Sequence, residues 1–238
     1  MTTSFVDLWV YLSDTPLFGL TATLAVYVGA SALSAHWDHA PWANPVLWSV
    51  VVLALLLAAT GTPYPVYFSG AQFIHFLLGP AVVALAWPLW QRRIELRRRA
   101  PALVLAGLAG GAAASGSAVA IAWGLGLPVD VIASLAPKSV TAPVAMGIAS
   151  QLGGIPALAA VFAVLTGLLG AVTAPWLLDT LRVHQPAVRG FALGTASHGI
   201  GAARAMQVHP DAGAYAALAL GLQVLLAALL LPAAARLF

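Results

Sequence analysis

Runs of roughly 20 apolar residues recur along this chain, and they constrain its fold more than any other feature. A bilayer's hydrocarbon core is about 30 Å thick and takes roughly 20 helical residues to cross. Such runs occupy residues 16–35, 46–61, 72–90, 101–125, 156–178 and 212–235. Ten cationic and seven acidic side chains among 238 residues cannot cover a water-soluble domain of this size. That excludes a soluble enzyme, a nucleic-acid binder and a disordered chain. The runs are also too long and too uniformly apolar for the alternating pattern of an outer-membrane barrel. The expected fold is an all-α polytopic membrane protein with six plain transmembrane spans and two interrupted or re-entrant helical segments. All of it is read as one transmembrane domain, 1–238, in a bacterial inner membrane.

The connections carry the topology. Residues 5–12 are apolar but short, so 1–15 reads as an interfacial segment. Met1 to Asp14 has no positive charge, so no secretory signal peptide is expected. The stretch His36-Trp37-Asp38-His39-Ala40-Pro41-Trp42 suits a membrane interface, where tryptophan concentrates; interfacial placement is favoured there over metal binding. Gly61-Thr62-Pro63 and Gly126-Leu127-Pro128 end helices. Arginines 92, 93, 97, 98 and 99 cluster at 91–100, a basic loop expected in the cytoplasm by the positive-inside rule. Counting back through three spans puts the N-terminus outside. Arg182 and Arg189 then also lie inside, which requires residues 129–152 to enter and leave on the outer side or to cross only in part. With no cysteine in the chain, disulfides and thiol chemistry are excluded. Gly107, Gly111 and Ser115 form a small-residue stripe that reads as helix packing.

Two segments, 129–152 and 187–207, are apolar yet broken by Gly, Pro, Ser and Thr, and both carry charge. In the first, Pro137 and Pro143 bracket Lys138-Ser139-Val140-Thr141. A lysine at bilayer depth costs about 2.5–3.5 kcal/mol and needs a partner, water or an anionic ligand. Backbone freed by the prolines must line protein or water. A helix starting near Ser139 would aim N–H groups at an anion, with hydroxyls from Ser139 and Thr141 beside them. The bland alternative is an interfacial lysine that snorkels. In the second, Gly190, Gly194, Gly199 and Gly201 argue against a regular helix. Thr195, Ser197 and His198 supply compact polar groups, and Arg204 offers a bidentate fork for a carboxylate. His198 titrates near neutral pH and is the candidate proton-coupling group. Its bland alternative is a helix joint with the ring bonded to a carbonyl.

Leu78-Gly79-Pro80-Ala81-Val82 and Leu135-Ala136-Pro137-Lys138-Ser139 are weakly alike, with Gly79 and Pro80 as a further helix break. Composition explains this as well as a repeat does. Paired broken segments in two halves nonetheless mark transporter binding sites and keep an inverted repeat open. No catalytic role, metal site or cofactor is expected. Gly194-Thr195-Ala196-Ser197-His198-Gly199 does not fit G-x-S-x-G, and there is no H-E-x-x-H.

Leu77–Leu89, Ala136–Ala145 and Gly194–Ala205, with their P-K-S-V-T and G-T-A-S-H-x-I-G strings, resemble the signature stretches of the LrgB/CidB family. Ala142 and Gly199 depart from its usual residues. The family includes antiholin-like bacterial membrane proteins and the membrane half of the plastid glycolate/glycerate translocator. The resemblance implies one of two activities. The first and favoured is secondary transport of small monocarboxylates or 2-hydroxy acids such as glycolate, glycerate, lactate or pyruvate. The second is antiholin-like control of murein hydrolase export and lysis. Implied partners are a small carboxylate, the lipid bilayer, an LrgA/CidA-type membrane protein and further copies of the chain, with no nucleic acid.

Overall fold

The computed structural model describes residues 16–77, 80, 83–84, 87, 90 and 93–235. Among them the structure is all helical. Residues 1–15 and Gly79 lie outside the described residues, as does most of the third expected span beyond Leu77. The chain divides into two compact units, Met1–Leu85 and Ala86–Phe238.

In the first unit, α1 (Pro16–His36), α2 (Pro45–Thr60) and α3 (Tyr64–Phe76) follow one another. Asn44 caps α2, its Oδ1 accepting from the N–H groups of Val46 and Leu47 at 2.9 and 3.1 Å. Pro45 follows, where a missing N–H costs nothing. Gly61 ends α2 at φ 65°, a left-handed position that glycine takes without strain. Gly19 lets the α3 backbone approach α1 at Tyr67, and the Thr23 and Tyr67 hydroxyls are 2.7 Å apart. In the connection, the rings of Trp37 and Trp42 lie 4.6 Å apart.

The second unit holds α4 (Arg93–Gly124), α5 (Val129–Leu135), α6 (Ala142–Gln151), α7 (Pro156–Thr180), α8 (Pro186–Val208) and α9 (Pro210–Ala235). Arg93 and Arg97–Arg99, expected in a connecting loop, are the first turns of α4. Arginine and leucine are good helix formers, so the helix runs into the basic cluster. Four helices of the described residues are long and apolar enough to span a membrane: Leu17–His36, Arg97–Gly124, Pro156–Thr180 and Pro210–Ala235. Pro45–Thr60 is shorter.

Packing in this unit inverts that of a water-soluble domain. Its buried apolar residues are mostly alanines, while Trp123, Leu169, Trp176 and Leu229 face outward. Lipid removes the drive to bury large apolar side chains, and small residues let helices close on one another. Gly107 lies against Leu222 and Gly111 against Gln223, so the small-residue stripe of α4 is the seam with α9. There Gln223 Nε2 donates to the Gly107 carbonyl at 2.6 Å.

The helix α8 is two arms. His198 has φ 42° and ψ −133°, and the chain folds back there. A Cβ on Gly201 would sit 2.7 Å from the carbonyl oxygen of Leu193, whereas residues eight apart in a straight helix are about 12 Å apart. Gly190 and Gly194 of the first arm lie against the backbone of Ala212 and Ala216, so α9 runs parallel to that arm. The α4–α9 contacts keep the same direction. In α7 the order is reversed, with Ala163 beside His198 and Asp179 beside Arg189. The start of α4, the end of α7, both feet of α8 and the start of α9 therefore share one end. Arg93, Arg97–Arg99, Arg182 and Arg189 gather there. Both termini of the 129–155 stretch lie at the other end, where the Ile155 N–H donates to Ser134 Oγ at 2.7 Å.

Candidate functional site

The first interrupted segment breaks where its prolines sit. Between α5 and α6 the backbone of 136–141 forms turns, with Val140 N–H donating to the Pro137 carbonyl at 3.2 Å. Pro137 is fully buried. Pro143 falls in the first turn of α6, where it needs no partner for an N–H. The helix begins at Ala142, three residues later than the expected start near Ser139. Thr141 precedes it without a side-chain cap. Lys138 is half-buried, and its Nζ is 3.4 Å from Ser139 Oγ. Among the described residues it has no carboxylate at ion-pair distance. Val140, Ala145, Ile148 and Ala149 anchor the segment against Ala159 and Ala163 of α7.

The second segment breaks at His198 rather than at its glycines. The ring is 4% exposed and its Nε2 lies 2.8 Å from the Ala163 carbonyl. A carbonyl only accepts, so Nε2 carries the hydrogen. This is the carbonyl-bonded joint named as the bland alternative, but with a left-handed backbone that costs a non-glycine residue about 1–3 kcal/mol. The α7 face that receives the tip is glycine for steric reasons. A Cβ on Gly167 would lie 2.9 Å from the imidazole, and one on Gly170 would overlap Ser197 Oγ. Gly194 and Gly201, expected to break the helix, instead permit close approach to α9 and between the arms. Pro80 is helical.

The two breaks meet. The nearest atom to a Cβ built on Gly199 is Thr141 Cγ2, at 3.9 Å, so the start of α6 faces the tip of α8. Thr141, His198 and Gly199 are thereby brought together from opposite ends of the unit. Ser197 turns toward α7. Thr195 turns toward Gly110 of α4, and its buried Oγ1 has no hydrogen-bond partner among the described residues.

Arg204 lies elsewhere. It lines a cavity of about 310 Å³ with Pro175, Asp179, His184, Arg189 and His209, among others, and its buried Nε also lacks a partner among the described residues. Lys138, Ser139 and Thr141 do not line that cavity. Sequence reasoning missed Asp179, His184 and His209 as site residues and read Arg189 only as a topology marker. Only the fold-back, which joins residues 186–189 to 208–209, puts them on one wall.

The chain is 35% identical over 197 residues to the protein YwbG of Bacillus subtilis, covering 83% of this chain and 87% of that one. It is 34% identical to a Haemophilus influenzae protein over 85% of this chain and 87% of the relative. It is 28% identical to the holin-like protein CidB of Staphylococcus aureus, covering 93% and 96% of the two chains. No solved structure matches. The profile of the LrgB-like family matches residues 23–237, and this multi-pass helical membrane protein belongs to the LrgB-like family.

Proposed function

We propose that the chain is a non-enzymatic secondary transporter of small monocarboxylates or 2-hydroxy acids, of the glycolate, glycerate, lactate and pyruvate class. It works in the bacterial inner membrane, with the arginine-rich end in the cytoplasm. Six spans cross, at the apolar runs named from the sequence. Residues 129–152 enter and leave from outside, and the α8 hairpin enters from the cytoplasm.

One observation carries this reading: Thr141 and Gly199, at two helix breaks from opposite ends, face each other, so that a Cβ added to Gly199 would lie 3.9 Å from Thr141 Cγ2. Paired broken helices at mid-membrane are how carriers expose polar backbone to a solute. Among the described residues Lys138 has no carboxylate at ion-pair distance, and Thr195 Oγ1 and Arg204 Nε have no hydrogen-bond partner. Alternating access moves the anion past this junction, and His198 carries the coupled proton. The test is uptake of labelled glycolate, lactate and pyruvate into proteoliposomes, with and without a pH gradient. Saturable, gradient-dependent uptake of at least one acid is expected. None for any acid overturns the reading.

A second reading is an antiholin-like regulator of murein hydrolase export and lysis, assembled with an LrgA/CidA-type partner and with copies of itself. Its support is direct: relatives spanning nearly the whole chain are named holin-like protein CidB. The two readings part on Lys138→Met. A regulator that assembles normally keeps its effect on hydrolase release in that variant, and a carrier loses uptake.

A further inference from the structure

The cavity at the feet of the α8 hairpin holds five side chains capable of charge. Arg189, Arg204, Asp179, His184 and His209 all line it. Arg189 is spoken for: its Nη1 pairs with Asp179, and its guanidinium also donates to the carbonyls of Val183 and Pro175 at 3.5 and 3.3 Å. Arg204 is not. Its Nε is buried without an acceptor, and the cavity's carboxylate is already taken by Arg189. The Asp211 N–H donates to His209 Nδ1 at 3.0 Å, which leaves Nε2 as the donor of the neutral ring. Two guanidiniums thus share the cavity with one carboxylate, and a further ring donor lines it. A buried guanidinium N–H without an acceptor is costly, because its desolvation goes uncompensated.

We propose that this cavity binds a small monovalent oxyanion, a carboxylate of a few heavy atoms, with Arg204 as its principal ligand and the Arg189–Asp179 pair as its fixed rim. The volume of about 310 Å³ is at the lower limit of ligand pockets, about 300–1,000 Å³, which suits a short acid and not a nucleotide. A single negative charge completes the balance that Asp179 leaves open. Guanidinium and carboxylate match as two parallel charge-assisted bonds. The site lies apart from the Thr141–Gly199 junction and forms the solute's station at the arginine-rich end. In naming the anion the proposal rests on the carrier reading.

The chain has no cysteine, so Val208→Cys gives a single thiol. Val208 lines the cavity, is 62% exposed and has no polar atom to contribute, so the variant should fold. Glycolate is expected to slow its alkylation severalfold in full-length protein in detergent. Arg204→Gln in that background should abolish protection and raise the glycolate Kd about ten- to a hundredfold. Arg204→Lys, which keeps charge but not the fork, should fall between. Melting temperature reports folding. Unchanged protection and Kd in folded Arg204→Gln overturn the site and leave the carrier reading standing, provided uptake persists. If no carboxylate is transported, the carrier reading falls, and the monovalent oxyanions acetate, formate and nitrate decide the cavity. Protection by any of them that Arg204→Gln removes upholds the anion site, and protection by none overturns it.

Discussion

His198 Nε2 donates to the carbonyl oxygen of Ala163 at 2.8 Å, and it does so from a residue held at φ 42°. One bond thus joins the tip of the α8 hairpin to the middle of α7. It uses the nitrogen that is protonated in both the neutral and the charged ring, so Nδ1 can gain or lose a proton with the bond intact.

That arrangement separates two roles of the histidine. His198→Ala loses a buried bond worth about 0.5–1.5 kcal/mol and keeps the left-handed strain. His198→Gly loses the same bond but relieves strain of about 1 kcal/mol or more. Thermal unfolding in detergent should place Gly above Ala in stability. If the reverse is found, the backbone at 198 is not left-handed.

For coupling, His198→Gln retains a side-chain donor and cannot titrate. Uptake should continue in proteoliposomes while losing its response to an imposed pH gradient. Unchanged gradient dependence would assign the proton to another group.

Glycines of the second unit should divide sharply by neighbour. Gly170→Ala drives a methyl into Ser197 Oγ, so it should cost about 1–3 kcal/mol and displace the hairpin. Gly147→Ala in α6 meets nothing within 4 Å and should be neutral or stabilising by up to about 1 kcal/mol. Melting temperatures of the two variants check the contrast.

Lys138 and Arg204 are expected to act separately. Arg204→Met should weaken glycolate binding at the cavity about tenfold or more, whereas Lys138→Met, which does not line that cavity, should leave the affinity unchanged and abolish uptake. Calorimetry and proteoliposome uptake on the two variants decide. An equal loss of affinity in Lys138→Met would mean that one carboxylate touches both.

Orientation is open to direct chemistry in a chain without cysteine. Arg182→Cys should react with an impermeant thiol reagent only from the cytoplasmic side, and Leu127→Cys only from outside. Labelling of both from one side would break the proposed path of residues 129–152.

Most of the helices were legible because lipid imposes length: residues 16–35, 156–178 and 212–235 became α1, α7 and α9 within a few residues. The break at 136–141 was legible because Pro137 and Pro143 act locally. At α8 the sequence named the right stretch and misassigned its parts. Glycine suits a broken helix and a close helix contact equally well, and only Ala212 and Ala216 on α9 show that Gly190 and Gly194 serve the second. The cavity around Arg204 was illegible for a related reason. No local pattern announces that the chain turns back at a histidine, so Asp179, Arg189 and His209 looked like unrelated ends of spans.

The fold-back of α8 has an electrical consequence. The arms reach about 18 and 15 Å, roughly half of a hydrocarbon layer about 30 Å thick. A charged cavity at its feet admits water, and voltage falls where the path conducts least. On the carrier reading the transmembrane potential is therefore concentrated on the short stretch beyond Arg204 rather than spread over the whole bilayer. Each elementary charge moved through 100 mV exchanges about 2.3 kcal/mol with the field. A lone carboxylate crossing that stretch would be electrogenic, whereas one accompanied by a proton on His198 would cross silently.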